Sequence, residues 1–300
     1  LFCHCGFFLI DKPKGAGSFF VVKSLRKVLD MKRIGYAGTL DPLATGLMIV
    51  AAGEATKLLY ALEQTDKVYD VVVEFGATSE TYDSEGPIHP FQLPKIPRME
   101  DIQKVLDEQF AGERTQIPPR YSAVKIAGKH AYDLVRKGHD VTIPAKKVVF
   151  FDVQILKYEF PALECSVHCS AGTYIRSFAH DLGQILGCGA YVRELRRVSI
   201  GPHKIENAVG LGDITTENFG KFLQPPEKFL SDWRQSELTN PEYDVLANGG
   251  FVRNRWGGDG GELTTPLAPA LALLQGKTVG LLESCEGGKS IKFAKKFVLR

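Results

Sequence analysis

What this 300-residue chain lacks narrows the field first. No apolar run approaches the roughly 18 residues a membrane helix needs, and no signal-peptide pattern is visible, so a cytoplasmic protein is expected. The six cysteines include no C-x-x-C pair. Cys3-His4-Cys5 is too tight for a structural zinc half-site and no second half follows at a usual spacing, so no metal is expected. Cys165 and Cys169 alternate as L-x-C-x-V-x-C on one face of a candidate strand, which reads as core packing by free thiols. Neither G-x-G-x-x-G nor a Walker loop is present, and KPKGAGS lacks the spacing of a phosphate cradle. Serine-hydrolase and Cys/His arrangements are equally absent. Charge of one sign is scarce overall: 37 Lys and Arg against 35 Asp and Glu leave a net +2, compatible with a nucleic-acid partner without demanding one. There is no internal repeat and no low-complexity tract.

What remains is an ordinary globular composition, 44% apolar and 24% charged, enough for one large domain or one large and one small. GFFLIDK reads as a strand running into a Gly/Pro turn. Ser18 is placed to cap a helix over 19–29 whose apolar stripe is Val21, Leu25, Val28 and Leu29. GLMIVAAG reads as a buried strand and EATKLLYALEQ as a short helix. KVYDVVVEFG alternates, with Tyr69, Val71, Val73 and Phe75 on one side and Asp70 and Glu74 on the other, the mark of a strand with one wet face. MEDIQKVLDEQFAG turns Ile102, Val105, Leu106 and Phe110 inward and stops at Gly112. Residues 113–145 form a basic, aromatic-containing excursion. Two strands near 147–158 and 163–169 lead to GTYIRSFAHDLGQILG, where Ile175, Phe178, Ala179, Leu182, Ile185 and Leu186 recur at helical spacing. The pattern loosens into a linker near 225–242, and short strands with glycine turns follow. Strands and helices mix without regular βαβ repeats, so the expected class is α+β.

One stretch stands out chemically. GYAGTLDPLATG, residues 35–46, sets a lone carboxylate, Asp41, among glycines and small apolar residues, with proline directly after it. Leu-Asp-Pro is ordinarily a turn in which the aspartate caps the backbone. Yet the glycines permit close approach of something bulky, and Leu40, Leu43 and Leu47 would desolvate the carboxylate. A desolvated carboxylate held near a cation is a nucleophile or base. Arg176, at the start of a helix whose other face is core, is the candidate cation, and Tyr69, near the start of its strand, a candidate pocket wall. Basic residues cluster at Lys32-Arg33, between Arg114 and Lys129, at Lys146-Lys147, at Arg193 with Arg196-Arg197, and between Lys289 and Arg300. Taken singly each suits a solvated face; together, interleaved with Tyr121 and Tyr132, they suit a polyanion track.

GYAGTLDPLATGLMIVAAGEATK resembles the signature of the TruB family of pseudouridine synthases. LIDKPKGAGS, DKVYDVVVEFGATSETYDSEG, PPRYSAVKIAGKHAYDLVRKG and CSAGTYIRSFAHDLGQILGCGAYVRELRR resemble further motifs of that family, in the same order. ALLQGKTVGLLESCEGGKSIKFAKKF resembles, more loosely, a small PUA-type RNA-binding domain. The resemblance implies a mixed, mostly antiparallel central sheet flanked by helices. It puts the catalytic domain at 1–230, with an RNA-binding thumb at 113–145, and a β-rich PUA-like domain at 240–300. It implies isomerisation of uridine-55 in the T-loop of tRNA to pseudouridine, without cofactor or metal, by a monomer that binds the T-arm stem-loop. Asp41 then matches the catalytic aspartate, Arg176 its partner, and Tyr69 the ring that stacks on the target base. Leu195 and Tyr174 match base-binding positions and Asp83 a residue of the active-site loop, while Lys12, Tyr36, Lys125 and Lys129 match RNA contacts. Tyr36 stands where many members carry histidine, and Gly17-Ser18 where a Thr/Ser-Ser pair is usual. Two other functions compete: an RNA-binding or tRNA-folding protein in which catalysis is secondary, and a synthase acting on ribosomal RNA.

Overall fold

The computed structural model describes residues 4–126, 128–254, 270–285 and 289–297. Cys3 of the dismissed Cys3-His4-Cys5 half-site, and parts of the C-terminal run expected to bind RNA, lie outside them.

The strands are β1 (Gly6–Lys12), β2 (Ile34–Ala37), β3 (Thr45–Ala52), β4 (Lys67–Phe75), β5 (Gly112–Gln116), β6 (Lys146–Glu159), β7 (Ala162–Cys169), β8 (Ala190–Ile200) and β9 (Val209–Gly210). They form one sheet in the order β9-β1-β3-β8-β4-β7-β6-β5, with β2 added to β3. Pairing is antiparallel except at β1 with β9 and β3 with β8, so the mixed, mostly antiparallel sheet expected for the α+β class is present. The helices that matter to the site are α1 (Ser18–Val28), α2 (Met99–Gln109) and α3 (Ile175–Ile185).

The alternation in KVYDVVVEF does what a half-buried strand requires. Tyr69, Val71, Val73 and Phe75 turn into a core shared with Val21, Val22 and Leu25 of α1, Ile102 and Leu106 of α2, and Phe178, Ala179 and Leu182 of α3. Phe110 meets Phe150 and Phe178 edge-on at 5.5 and 4.8 Å between ring centres. Cys165 and Cys169 are fully buried in this core, and burial pushes both thiols up to about 12.

The other end of the sheet is covered by a second, five-stranded sheet: β10 (Gln235–Glu237), β11 (Val252–Arg253), β12 (Ala270–Leu274), β13 (Lys277–Cys285) and β14 (Ser290–Lys296), in the order β10-β12-β13-β14-β11. Phe7, Leu9, Leu47 and Ile49 pack in one cluster with Leu271, Leu281 and Phe297. Among the described residues no helix is long and apolar enough to cross a membrane.

Four local expectations need correcting. Ser18 is the first residue of α1 and not its cap, because its hydroxyl is engaged elsewhere. Ile185, counted into the apolar stripe of α3, is 44% exposed at the helix end. Residues 113–116 pair with 146–149 as the sheet's outer edge, so the excursion leaves the sheet only after Gln116. The edge strand GERTQ fills its less exposed positions with Arg114 and Gln116 and so carries no apolar alternation. Finally, β10 falls inside the stretch read as a linker at 225–242; its parallel pairing with β12 recruits a polar segment.

Candidate active site

The sheet is joined in its middle by a short parallel contact, Thr45 and Gly46 of β3 against Arg196 and Arg197 of β8. Gly46 sits at φ +100°, and a Cβ there would lie 2.3 Å from the Arg197 carbonyl, so no other residue fits without moving a strand. The chain leaves β2 and enters this seam through residues 38–44, the loop that carries Asp41.

Gly38, Leu40 and Pro42 of that loop are each held by a different element. Arg197, 1% exposed, donates from Nη2 to the Gly38 carbonyl at 3.0 Å and from Nε to Leu47 at 2.7 Å. The buried Ser18 hydroxyl donates to the Leu40 carbonyl at 2.9 Å and accepts from the Leu40 N–H at 2.8 Å. The N–H of Gly15 donates to the Pro42 carbonyl at 2.8 Å. Lys12, expected on the RNA-facing surface, is instead fully buried: its ammonium donates to Pro13, Ala16 and Pro42 carbonyls, and burial pulls it down to about 8. An ammonium enclosed in this way is a fastener of the loop and cannot meet a phosphate.

Asp41 faces Arg176 across the cleft. Nη2 donates to Oδ1 at 3.2 Å and Nε lies 2.9 Å from Oδ2. The same guanidinium donates to the carbonyls of Thr81 and Tyr121, each at 3.0 Å, and stands 3.4 Å from Asp83. Asp83 is 2% exposed and accepts from the Thr81 hydroxyl and the Glu85 N–H. One buried cation therefore serves two carboxylates. About a third (33%) of the Asp41 side chain opens into the cleft, and protein crowds it elsewhere. That burial holds its pKa above the usual aspartate value, the Arg176 charge opposes the rise and the Asp83 charge adds to it.

Arg176 is aimed by its neighbour. The buried Gln116 side chain grips Tyr174 by both backbone groups, donating to its carbonyl at 3.0 Å and accepting its N–H at 2.8 Å, just where α3 begins. Lys146 sits 4.4 Å over the Tyr174 ring.

The cleft between these parts has a volume of about 500 Å³. Asp41, Arg176, Tyr69, Leu195, Tyr174 and Tyr36, all singled out in the sequence, line it. Asp83 stands behind Arg176. Lys125 and Lys129 lie on the two strands of a minute exposed hairpin, opposite His130 and Ile126 respectively, and are not part of the cleft wall. Lys67 and Arg197 are among the wall residues that escaped the sequence reading. Lys67 lines the cleft with its amine pulled down to about 8 by burial and by Arg197. Arg197 also lines it, and burial pushes the Tyr69 hydroxyl up while the Arg197 charge pulls it down. The available signal was the spacing in RELRR: Leu195 and Arg197 are two apart in a strand and so share a face. The arrangement can keep a charged carboxylate beside an aromatic-walled, partly dry space, which suits covalent or proton-transfer chemistry on a planar ligand.

A family model described as TruB family pseudouridylate synthase (N terminal domain) matches residues 26–175, and one described as tRNA pseudouridylate synthase B C-terminal domain matches 176–231. Asp41 lies in the first segment and Arg176 opens the second. A protein of Clostridium tetani named tRNA pseudouridine synthase B is 38% identical over 253 residues, covering 82% of this chain and 85% of its own. One of the same name from Chlamydia abortus is 45% identical over 205 residues, covering 68% and 86%. Among solved structures, a chain of an H/ACA RNP bound to a substrate RNA containing 2′-deoxyuridine shares the fold at a TM-score of 0.73 and 23% identity, over 99% of this chain and 86% of that one. The chain belongs to the TruB family of pseudouridylate synthases.

Proposed function

We propose that this chain isomerises uridine-55 in the T-loop of tRNA to pseudouridine, with Asp41 as its catalytic group. The observation that carries the reading is the Asp41–Arg176 pair at the mouth of a cleft walled by Tyr69. The names of the relatives, tRNA pseudouridine synthase B, support tRNA as the substrate class.

The reaction breaks the C1′–N1 bond, turns the uracil and joins C1′ to C5. A proton leaves C5 and N1 gains one, so atoms and electrons balance without a cofactor. The target base must first leave its stack, at a cost of about a few kcal/mol, and Tyr69 offers a ring against which it settles. Leu195 and Tyr174 close the pocket, and Tyr36 at the cleft offers a further ring to the extruded loop. A carboxylate can then attack C1′, add to C6 or take the 2′ proton; all three begin at the Asp41 oxygens and require them ionised. Arg176 favours that ionised form and, through its planar fork, fixes the direction in which the oxygens point. The detached uracil is kept from water by the apolar wall. Tyr69, or water beside it, receives the C5 proton.

Lys125 and Lys129 on the thumb meet the phosphate backbone, and the C-terminal sheet serves as a PUA-like RNA-binding module. The enzyme works as a monomer in the cytoplasm, on the T-arm stem-loop, without metal. Asp41→Asn tests the core of this reading. Tritium release from tRNA labelled at uracil C5 should disappear while RNA affinity changes little; a variant that turns over normally refutes it.

A further inference from the structure

Helix α1 opens with two adjacent phenylalanines on its outer side. Phe19 is 60% exposed and Phe20 55%, whereas Ser18, Val21, Val22 and Leu25 form the buried face. Neighbouring exposed rings of this size mark a contact surface more often than scattered single residues do. The segment that carries them has charge of one sign. From Lys12 to Leu29 there are five basic residues and no acidic one. Lys14 and Lys23 are exposed, with Lys23 one helical turn from both rings, and the Arg26 guanidinium lies 5.7 Å from the Phe19 ring centre.

The patch also adjoins the loop that carries Asp41. Ser18, next to Phe19, holds Leu40, and Gly15, next to Lys14, donates to Pro42. A chain of RNA leaving the cleft over the exposed Pro42 therefore runs onto this surface. Paired rings on a helix whose own charges are all basic suit an unpaired nucleotide: every base offers a flat face to a ring, and its phosphate a charge to a lysine.

We propose that Phe19 and Phe20, with Lys23 one turn along the helix and Arg26 beside Phe19, form a stacking shelf for an unpaired RNA nucleotide beside the one that enters the cleft. The inference rests on the RNA-modifying function proposed above and adds a second base-binding position outside the cleft. The basic charges of the helix and the continuity with the loop at Asp41 favour RNA over an apolar protein partner as the occupant.

The test uses the full chain with a T-arm stem-loop transcript and a whole tRNA transcript. Phe19→Ala/Phe20→Ala should raise KM and the RNA dissociation constant about tenfold, a span set by the loss of base stacking, with a much smaller effect on kcat. Phe20→Trp should bind as tightly as the parent, and its fluorescence should be quenched when RNA is added. The proposal is overturned if the double variant binds RNA within twofold of the parent, or if the tryptophan emission ignores RNA. It is equally overturned if the double variant converts a self-associated protein to monomers in sedimentation, since a second copy would then own the surface. Failure of the proposed function looks different: the parent itself would release no tritium, whatever the shelf variants do.

Discussion

The loop 38–44 and the excursion 117–145 both border the cleft, and both are poor in regular structure, but their backbones are held in opposite ways. The loop is fastened at Gly38, Leu40 and Pro42 by side chains and backbone from β8, α1 and the turn after β1. The excursion contains a two-pair hairpin and the six-residue helix Ala131–Arg136, and few of its side chains are buried. Its ties to the site include the Tyr121 carbonyl, which accepts from Arg176, and the Ile117 carbonyl, which accepts from the Ser177 hydroxyl. A segment with little burial opens locally at small cost, whereas one fastened at successive peptides does not. The difference separates two tasks: the fastened loop aims a reacting group, and the loosely held excursion admits and covers a large ligand.

Arg176 contacts both regions, so replacing it should do the most damage after the loss of Asp41 itself. A lysine ammonium cannot serve Asp41, Asp83 and the Thr81 and Tyr121 carbonyls at once. Arg176→Lys should lower kcat about 100-fold, the scale expected when a reacting group is misaimed by about 1 Å, and shift KM far less. Steady-state kinetics on tRNA would break the comparison if KM carried the loss, because the arginine would then be acting mainly on capture.

Ser18→Ala isolates the fastening itself. It removes both bonds to Leu40 in a buried setting, worth about 1–3 kcal/mol. kcat should fall about tenfold with KM unchanged. Full kcat would mean that Asp41 keeps its aim without this anchor.

These residues also show where reading the chain succeeded and where it could not. KVYDVVVEF and the helical spacing around Phe178 were legible because one side of each element is core, and a two-sided environment prints a period. Asp41, Arg176 and Tyr69 were legible as unusual residues in particular settings, and the pairing of Asp41 with Arg176 across 135 positions was expected through the family resemblance, while its distances came with the fold. Lys12 and Ser18 were misread for a shared reason. A buried lysine has the same letter as a solvated one, and a serine before a helical stripe looks like a cap whether or not its hydroxyl finds a distant carbonyl. Arg197 was lost in a run of basic residues that also holds the half-exposed Arg196, which pairs with Asp11. Nothing local distinguishes the two except which face of β8 each occupies.

A smaller effect sharpens the electrostatics of the fastened loop. Burial and the Asp83 charge both raise the Asp41 pKa, and Arg176 opposes them. The reaction needs the ionised carboxylate, so activity is lost as pH falls through that raised value. Asp83→Asn removes one of the raising charges and should move the acid limb of the kcat profile to lower pH. A limb that stays in place, or moves up, would assign it to another group. The same shift implies that Asp41 weakens the fold near neutrality. A folded pKa above the unfolded one favours the protonated native state, and that advantage is lost as pH rises through the folded value. The thermal midpoint of Asp41→Asn should accordingly be no lower than that of the parent.

The excursion should yield the smallest and most salt-sensitive change. Lys125 and Lys129 are exposed on the hairpin, so an ion pair with phosphate there is made in water and is readily screened. Replacing both with alanine should raise KM a few-fold at low salt and leave turnover at saturating RNA near the parent value. The slope of log affinity against log salt should become shallower by about one for each phosphate that is no longer neutralised. Measured over a salt series, that pattern separates capture from aim, because a residue that aims Asp41 alters kcat at every salt concentration. If the lysine variant instead lost turnover with an unchanged salt slope, the excursion would be part of the catalytic scaffold, and its scant burial would have to be made good by the bound RNA itself.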